Sequence, residues 1–199
     1  GLMAAIGAAR CGAKVTLLEK NRQVGKKILV TGNGRCNLTN RDQSLSHYRS
    51  TDPSVVKQVL SRVGMEDTLE LLKKIGIFTK NRNGYLYPYS DQAAAVSEAL
   101  RLEAEHLGVK MALNTEARAV TRNPEGFLVE TEGWIYPADA VILTCGSKAA
   151  PETGSDGAGY GFAKKLGHRV IPPLPALVQL RCGEKFFEKL AGVRMDAQV

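Results

Sequence analysis

The chain has 199 residues, of which 44% are hydrophobic and 24% charged, and its formal net charge at pH 7 is +7. This length allows a normal buried core and one domain, or one domain with part of a second. No apolar run approaches the roughly 18–20 residues that span a bilayer, and the opening residues lack the basic leader of a signal peptide. These features predict a cytoplasmic globular protein without a membrane segment.

Cysteine and histidine are few and widely spaced. The four cysteines are Cys11, Cys36, Cys145 and Cys182. They form no Cys-x-x-Cys pair and the three histidines are isolated, so we expect neither a zinc site nor another metal site. A chain of this size needs no disulfide framework, which again favours the reducing cytoplasm.

The positive charge is concentrated at the start of the chain. Residues 1–50 hold nine Lys and Arg side chains against only Glu19 and Asp42, whereas basic and acidic groups cancel in the remaining residues. A locally basic segment suits a phosphate-bearing ligand, which could be a dinucleotide or a nucleic acid. An exposed basic surface without a ligand is the alternative.

The first half of the chain predicts mainly helices, with one buried strand and one hairpin. A glycine-rich loop at 31–40 follows a short extended segment at 29–30, and Asn83-Gly84 is a typical two-residue hairpin turn. The predicted elements are a helix at 1–10, a strand at 14–18, helices at 53–63 and 65–74, a hairpin at 78–87 and a helix at 90–106.

The second half predicts short strands. The alternation in 127–131 is typical of an antiparallel meander, whereas the continuous apolar run at 138–144 predicts a central parallel strand. A loop with three glycines then leads into a helix ending near residue 166. The short strands are predicted at 110–113, 117–121, 127–131 and 134–136.

The opening helix and strand carry the first candidate site. In a dinucleotide-binding βαβ unit, small residues let the helix pack closely on the sheet, and an acid ends the second strand to bind ribose hydroxyls. Gly1, Ala5 and Glu19 occupy such positions. A helix followed by a strand ending in Glu is common, so these residues alone leave other functions open.

The glycine-rich loop is the second candidate site. Gly32 and Gly34 allow a ligand to approach the backbone, and Arg35 offers a fixed positive charge to a phosphate or a reduced flavin. A tight turn with an exposed Arg is the alternative. Cys36 has no neighbouring thiol, so a structural or ligand-lining role is preferred to a redox role.

The third candidate site is the end of the predicted central strand, at Thr144-Cys145-Gly146. Open α/β sheets bind ligands beyond the carboxyl ends of their strands, although a core strand with a turn would look the same. No Ser-His-Asp order or paired-carboxylate site is present, and the tyrosines at 85–89 are interpreted as packing residues. The catalytic residues are therefore not predicted.

Read in this order, several segments resemble the BaiN/RdsA-like NAD(P)/FAD-dependent oxidoreductases, also called aminoacetone-oxidase-type flavoproteins. The resemblance covers essentially the whole chain, and the Gly-Arg-Cys-Asn-x-Thr-Asn loop is its most specific part. The segments are GLMAAIGAARCGAKVTLLEKN, KKILVTGNGRCNLTN, YLYPYSDQAAAV, ADAVILTCGSKAAPETGSDGAGYGFAKKLGH and PPLPALVQL.

The resemblance implies an α/β fold: a Rossmann-type FAD-binding domain with a β-meander and a small helical insertion. On this sequence the FAD-binding domain would cover residues 1–175, with the insertion at about 51–90, and a second, substrate-side domain would begin at 176–199. Family members start with an apolar strand carrying Gly-Gly-Gly-Pro-Ala and continue beyond residue 199. We therefore expect this chain, which starts without Met, to be truncated at both ends.

The resemblance also implies which residues bind FAD. Gly1 would lie beside the pyrophosphate, Glu19 would bind the adenosine ribose and Lys20 would lie near the adenine. The pyrophosphate and flavin would pass residues 32–37, and the adenine would lie by the backbone of 117–118. The implied FAD-binding set is Gly1, Glu19, Lys20, Gly32, Gly34, Arg35, Cys36, Asn37, Ala117, Arg118, Thr144, Cys145 and Gly146.

The implied activity is hydride transfer. NAD(P)H would reduce FAD transiently, and the flavin would reduce an electron-poor small-molecule substrate, such as one with a conjugated C=C bond. One alternative is a flavin-dependent enzyme that reduces uridine in ribosomal RNA, with structured RNA as its partner. A non-catalytic nucleotide-binding module is the other, and the oligomeric state stays open.

Overall fold

The computed structural model describes residues 1–175, 183–190 and 193. None of the helices in these residues is long and apolar enough to cross a membrane. The α-helices are α1 (Leu2–Arg10), α2 (Lys26–Val30), α3 (Pro53–Arg62), α4 (Met65–Lys74), α5 (Ala93–His106) and α6 (Ala158–Lys165). The strands are β1 (Thr16–Leu18), β2 (Thr39–Asn40), β3 (Thr79–Arg82), β4 (Tyr85–Pro88), β5 (Lys110–Ala112), β6 (Ala119–Asn123), β7 (Gly126–Glu130) and β8 (Ile135–Ala138).

The strands of the described residues form three sheets. The first is the parallel pair β1–β5, in which Leu17 lies opposite Met111. The second has the antiparallel order β2-β4-β3, and the third is the antiparallel meander β6-β7-β8. The parallel pair continues into its loops, because the backbone N–H of Thr115 donates to the carbonyl of Glu19 at 2.9 Å.

Helices α1 and α5 pack together against the parallel pair and form the main core. Small residues permit this close approach, since Ala5 and Ala104 are buried beside Ile6 and Leu100. A second, smaller core joins α6 to the meander through Phe162, Val120 and Val129. Leu18 at the end of β1 packs against this second core, so β1 has a neighbouring core on either side of its carboxyl end.

Most of the predicted elements are present within about two residues of their expected bounds. The hairpin turns at Asn83-Gly84, where both residues have positive φ (51° and 91°), as a type I′ turn requires. Asp52 caps α3, because its carboxylate accepts from the Ser54 backbone N–H at 3.0 Å. The hairpin turn and the N-cap predicted from the sequence are both present in the structure.

Two predicted elements are wrong. The segment at 29–30 is not extended, because it forms the last turn of α2. The expected central strand at 138–144 is absent: β8 ends at Ala138, and residues 140–147 have no regular structure. A strand needs a hydrogen-bonded neighbour, and no strand of the described residues pairs with this segment, which leaves Ile142 61% exposed.

The predicted second domain at 176–199 falls mostly outside the described residues. Within it, Lys185–Leu190 forms a short 3₁₀ helix. The predicted boundary at residue 175 therefore stays a prediction.

Candidate functional site

A cavity of about 320 Å³ lies where α1 begins and β1 ends. Gly1 forms one side and Glu19 the other, so the amino end of a nine-residue helix and a carboxylate share one space. Other walls come from residues 17–18, 24–28, 115–117, 144–145 and 153–156. Phe162 of α6 also lines the cavity.

The Glu19 carboxylate is held in place by its own chain. Its Oε1 accepts hydrogen bonds from the backbone N–H of Asn21 at 2.9 Å and from Asn21 Nδ2 at 2.7 Å. Oε2 has no donor among the described residues. Glu19 therefore presents a fixed and half-buried acceptor toward the cavity.

Lys20 and Asp156 connect the end of β1 to the start of α6. Lys20 Nζ lies 2.5 Å from Asp156 Oδ2 and 3.9 Å from Glu116 Oε1. The hydrogen bond to Asp156 raises the pKa of Lys20 and, reciprocally, lowers the pKa of Asp156. The other Asp156 oxygen accepts from the Ala158 backbone N–H at 3.0 Å, so the same side chain also contacts the first residue of α6, whose N-cap is Gly157.

Residues 144–146 pack against the loop before α6. Ser155 Oγ donates to the Cys145 carbonyl at 3.4 Å, and a β-carbon on Gly146 would lie only 2.0 Å from Ser155 Oγ. Cys145 is surface-accessible, yet its partial desolvation raises the pKa of its thiol, which is therefore protonated at neutral pH. A β-carbon on Gly1 would make only ordinary contacts, the nearest at 3.7 Å, so space remains at the helix terminus.

A second cavity, of about 510 Å³, adjoins the first. Four residues line both cavities: Lys20, Asn21, Thr115 and Glu116. The other walls of the second cavity are Arg118, Tyr136 and the turn at 131–134. The two cavities therefore meet at the carboxyl ends of β1 and β5.

The glycine-rich loop at 32–37 lines neither cavity. A β-carbon on Gly32 would lie 2.6 Å from the Asn37 backbone nitrogen and 3.2 Å from the Tyr87 ring, so the chain itself fills the space beside this glycine. Cys36 is buried in the core cluster that contains Leu2, and burial raises the pKa of its thiol. The loop packs against α2 and α5 and leaves Arg35 half-buried.

A charged cluster holds the β3–β4 hairpin to the start of α5. Asp91 Oδ2 accepts from Lys80 Nζ at 2.5 Å and from Arg82 Nη2 at 2.7 Å. The hydrogen bond from Lys80 lowers the pKa of Asp91, and the charges of Arg82 and Arg35 lower it further. Arg82 also lies over the Tyr87 ring, at 5.7 Å from its centroid.

The structure brings six predicted FAD-binding residues together and separates the others. Arg118 lines the second cavity and Gly146 packs on Ser155; of the five predicted residues of 32–37, Cys36 is buried in the core and Gly34 is exposed. Those lining the first cavity are Gly1, Glu19, Lys20, Ala117, Thr144 and Cys145. Each ligand contact stays a prediction.

Sequence reasoning missed Asn21 and Asp156. Asp156 stands two residues before the first residue of α6 and binds its backbone N–H, but its pairing with Lys20 spans 136 residues. Asn21 follows Glu19 too closely for any helical or strand pattern to indicate its role. Within the described ranges, no group of three or more His, Cys, Asp and Glu side chains could hold a metal ion.

The parallel pair β1–β5, the helices packed on it and the acid at the strand end define a Rossmann-type α/β domain. Comparison with known proteins agrees, because a family model described as the HI0933-like protein Rossmann domain matches residues 1–197. The chain belongs to this family. The resemblance and the α/β fold class predicted from the sequence are both confirmed.

Three curated relatives match the whole chain. A 3-dehydro-bile acid delta(4,6)-reductase of Clostridium scindens is 47% identical, and the chain covers 49% of it. Ribosomal RNA dihydrouridine synthases of Haemophilus influenzae and Escherichia coli are 31% and 28% identical, with 51% and 50% covered. The chain therefore spans about half the length of these relatives.

Proposed function

We propose that the protein containing this chain is an FAD-dependent oxidoreductase that reduces an electron-poor small molecule, such as one with a conjugated C=C bond. The observation that carries the proposal is the first cavity, in which the amino end of α1 faces the fixed carboxylate of Glu19. The 47% identical relative, whose name describes a reductase, supports the reaction class.

The residues of the cavity fit the two polar parts of a dinucleotide. The amino end of α1 offers unpaired backbone N–H groups and the positive end of the helix dipole, which suit a pyrophosphate. The free Oε2 of Glu19 suits ribose hydroxyls, because a carboxylate only accepts hydrogen bonds. When bound, FAD would supply the hydride-transfer chemistry.

The role of this chain would then be binding and orientation. Glu19 would fix the ribose, and Lys20 with Asp156 would hold the α6 loop against the end of β1. We also propose NAD(P)H as the transient hydride donor. The three described cysteines are free, which supports our further proposal of a cytoplasmic location.

The test uses the full-length protein. It should purify with bound flavin absorbing at about 450 nm. Glu19→Ala should weaken FAD binding about 10- to 150-fold, which corresponds to the loss of a charge-assisted hydrogen bond of roughly 1.5–3 kcal/mol. The matched control is Glu125→Ala in the β6–β7 turn, an exposed carboxylate that lines neither cavity. A full-length protein that is colourless and does not bind added FAD would refute the proposal.

Reduction of uridine in RNA is the second candidate. Its support is the concentration of basic residues in 1–50 and the names of the 31% and 28% identical relatives. Phosphate contacts predict that RNA binding weakens steeply as salt rises. Structured ribosomal RNA that fails to bind even at low salt would exclude this candidate and leave the small-molecule substrate.

A further inference from the structure

The turn that connects β7 to β8 forms one wall of the second cavity, and its backbone is firmly held. Thr131 binds both backbone polar groups of Trp134. The backbone N–H and the hydroxyl of Thr131 donate to the Trp134 carbonyl at 2.9 and 2.8 Å. In return the Trp134 N–H donates to Thr131 Oγ1 at 3.1 Å. The backbone of Trp134 on this wall is therefore held by a closed turn.

Trp134 is the single tryptophan among the 199 residues, and it is 67% exposed. Large aromatic side chains of this kind usually bury most of their surface, so an exposed indole calls for an explanation. Here the indole lines a concave space together with Tyr136, which is half-buried. Two aromatic rings in the wall of a cavity offer a surface on which a flat ligand can stack.

The remaining walls of the second cavity are polar and carry balanced charge. Arg118 Nη2 lies 3.2 Å from Glu132 Oε1, and Lys20 lies 3.9 Å from Glu116. Both cations already face a carboxylate, so this cavity has little excess charge with which to attract a phosphate. An uncharged heteroaromatic ring with hydrogen-bonding edges suits these walls better than an anion does.

The second cavity also adjoins the first. Lys20 and Glu116 line both, and Thr115 donates its backbone N–H to the carbonyl of Glu19, the predicted ribose ligand. A dinucleotide whose ribose lies at Glu19 would have its base next to this shared boundary. The stacking surface thus lies on the side where a base would emerge from the first cavity.

We propose that the second cavity receives the adenine ring of the dinucleotide and that Trp134 stacks on it. Trp134 is then a specificity-determining residue, because it contacts a ring that FAD has and flavin mononucleotide lacks. The inference rests on the proposed function and assigns the β7–β8 turn to it. A ring stacked on the indole buries apolar surface of both partners, which explains the exposed indole.

The first measurement is FAD affinity of the full-length protein after removal of its bound flavin. Trp134→Ala should weaken FAD binding roughly 5- to 150-fold, as expected for loss of one base–aromatic stack. Trp134→Phe should retain most of the affinity, because a ring remains. The control is Tyr89→Ala, which removes an equally exposed ring, also 67%, that lines neither cavity.

The second measurement uses AMP, which contains adenine and ribose but no flavin. AMP should change the tryptophan fluorescence of the unsubstituted protein, and the change should vanish in Trp134→Phe. AMP and FAD should also compete for one site. Circular dichroism and thermal unfolding of Trp134→Ala would establish that the variant is folded.

The outcomes separate this inference from the proposed function. If Trp134→Ala binds FAD as tightly as the unsubstituted protein, the adenine assignment is overturned while the flavoenzyme proposal stands. If AMP and FAD bind together without competition, the second cavity holds a separate nucleotide and the assignment is again overturned. If the unsubstituted protein binds no FAD at all, both proposals fail.

Discussion

The cavity beside β1 and the glycine-rich loop at 32–37 differ in the space beside their glycines. A β-carbon on Gly1 would make no contact shorter than 3.7 Å, whereas one on Gly32 would lie 2.6 Å from backbone nitrogen. The first region leaves space open beside its glycine, whereas in the second the chain itself occupies that space.

This difference teaches how a glycine-rich motif should be interpreted. Glycine permits close approach, but the sequence does not say whether a ligand or the protein itself makes that approach. In the cavity region, polar groups such as the Glu19 carboxylate and the Lys20 ammonium border open space. In the loop, the Asn37 backbone and the Tyr87 ring occupy the corresponding place. Substitutions should therefore act mainly on stability in the loop and mainly on binding at the cavity.

The largest expected effect on stability is at Gly32. Gly32→Ala should lower the free energy of unfolding by about 2–4 kcal/mol, because φ is +57° and the new β-carbon meets backbone that cannot move aside. Chemical denaturation of the protein without FAD measures this. Gly34→Ala is the control, since φ is +80° there but no atom lies within 4 Å, and it should cost only about 1 kcal/mol. Equal losses would mean that the close packing at Gly32 is unimportant.

Gly154 provides the intermediate case, because it combines crowding with a place in the cavity wall. A β-carbon would lie 2.5 Å from Asn21 Nδ2 at φ +97°, but a side-chain amide can swing away. We expect Gly154→Ala to cost about 2 kcal/mol. The displaced amide would also lose its hydrogen bond to Glu19, so FAD affinity should fall as well.

The control for Gly154 is Gly167→Ala, after the end of α6, where φ is +90° and no atom lies within 4 Å. It should cost about 1 kcal/mol and leave FAD affinity unchanged. For both Gly154→Ala and Gly167→Ala, FAD titration measures the affinity and chemical denaturation measures the free energy of unfolding. Loss of stability at Gly154 without loss of affinity would show that Asn21 does not support Glu19.

The features that the sequence predicts correctly depend on residues that are neighbours along the chain. Asn83-Gly84 fixes its hairpin because the turn needs two positive φ angles, and Asp52 before Pro53 starts α3. The place of Glu19 directly after a buried strand is also a local signal, although its ribose contact stays a prediction. Long-range pairing was not predictable: Ile142 lies in a strand-like sequence but has no strand beside it in the described part of the chain. The contact of Lys20 with Asp156 likewise depends on the folded path.

The smallest expected effect on stability is at Lys20, although this residue borders both cavities. Its ammonium pairs with Asp156 at 2.5 Å, but the two side chains remain 28% and 42% exposed. Solvent screens such pairs, so Lys20→Met should lower the free energy of unfolding by less than about 1 kcal/mol. Lys57→Met is the control, because Lys57 is exposed on α3 without an ion-pair partner among the described residues.

The pH dependence of this small effect identifies its origin. The pKa of Asp156 is lowered from 3.8, so its contribution is present above that value and is lost as pH falls through the folded-state pKa. The pKa of Lys20 is raised from 10.5, so its contribution is present below that value and is lost as pH rises through the folded-state pKa. The stability difference between the unsubstituted protein and Lys20→Met should thus be constant in between and shrink at both extremes. A difference that persists in acid would instead be due to packing of the lysine stem, and the cavity wall would then depend on apolar contact rather than on charge.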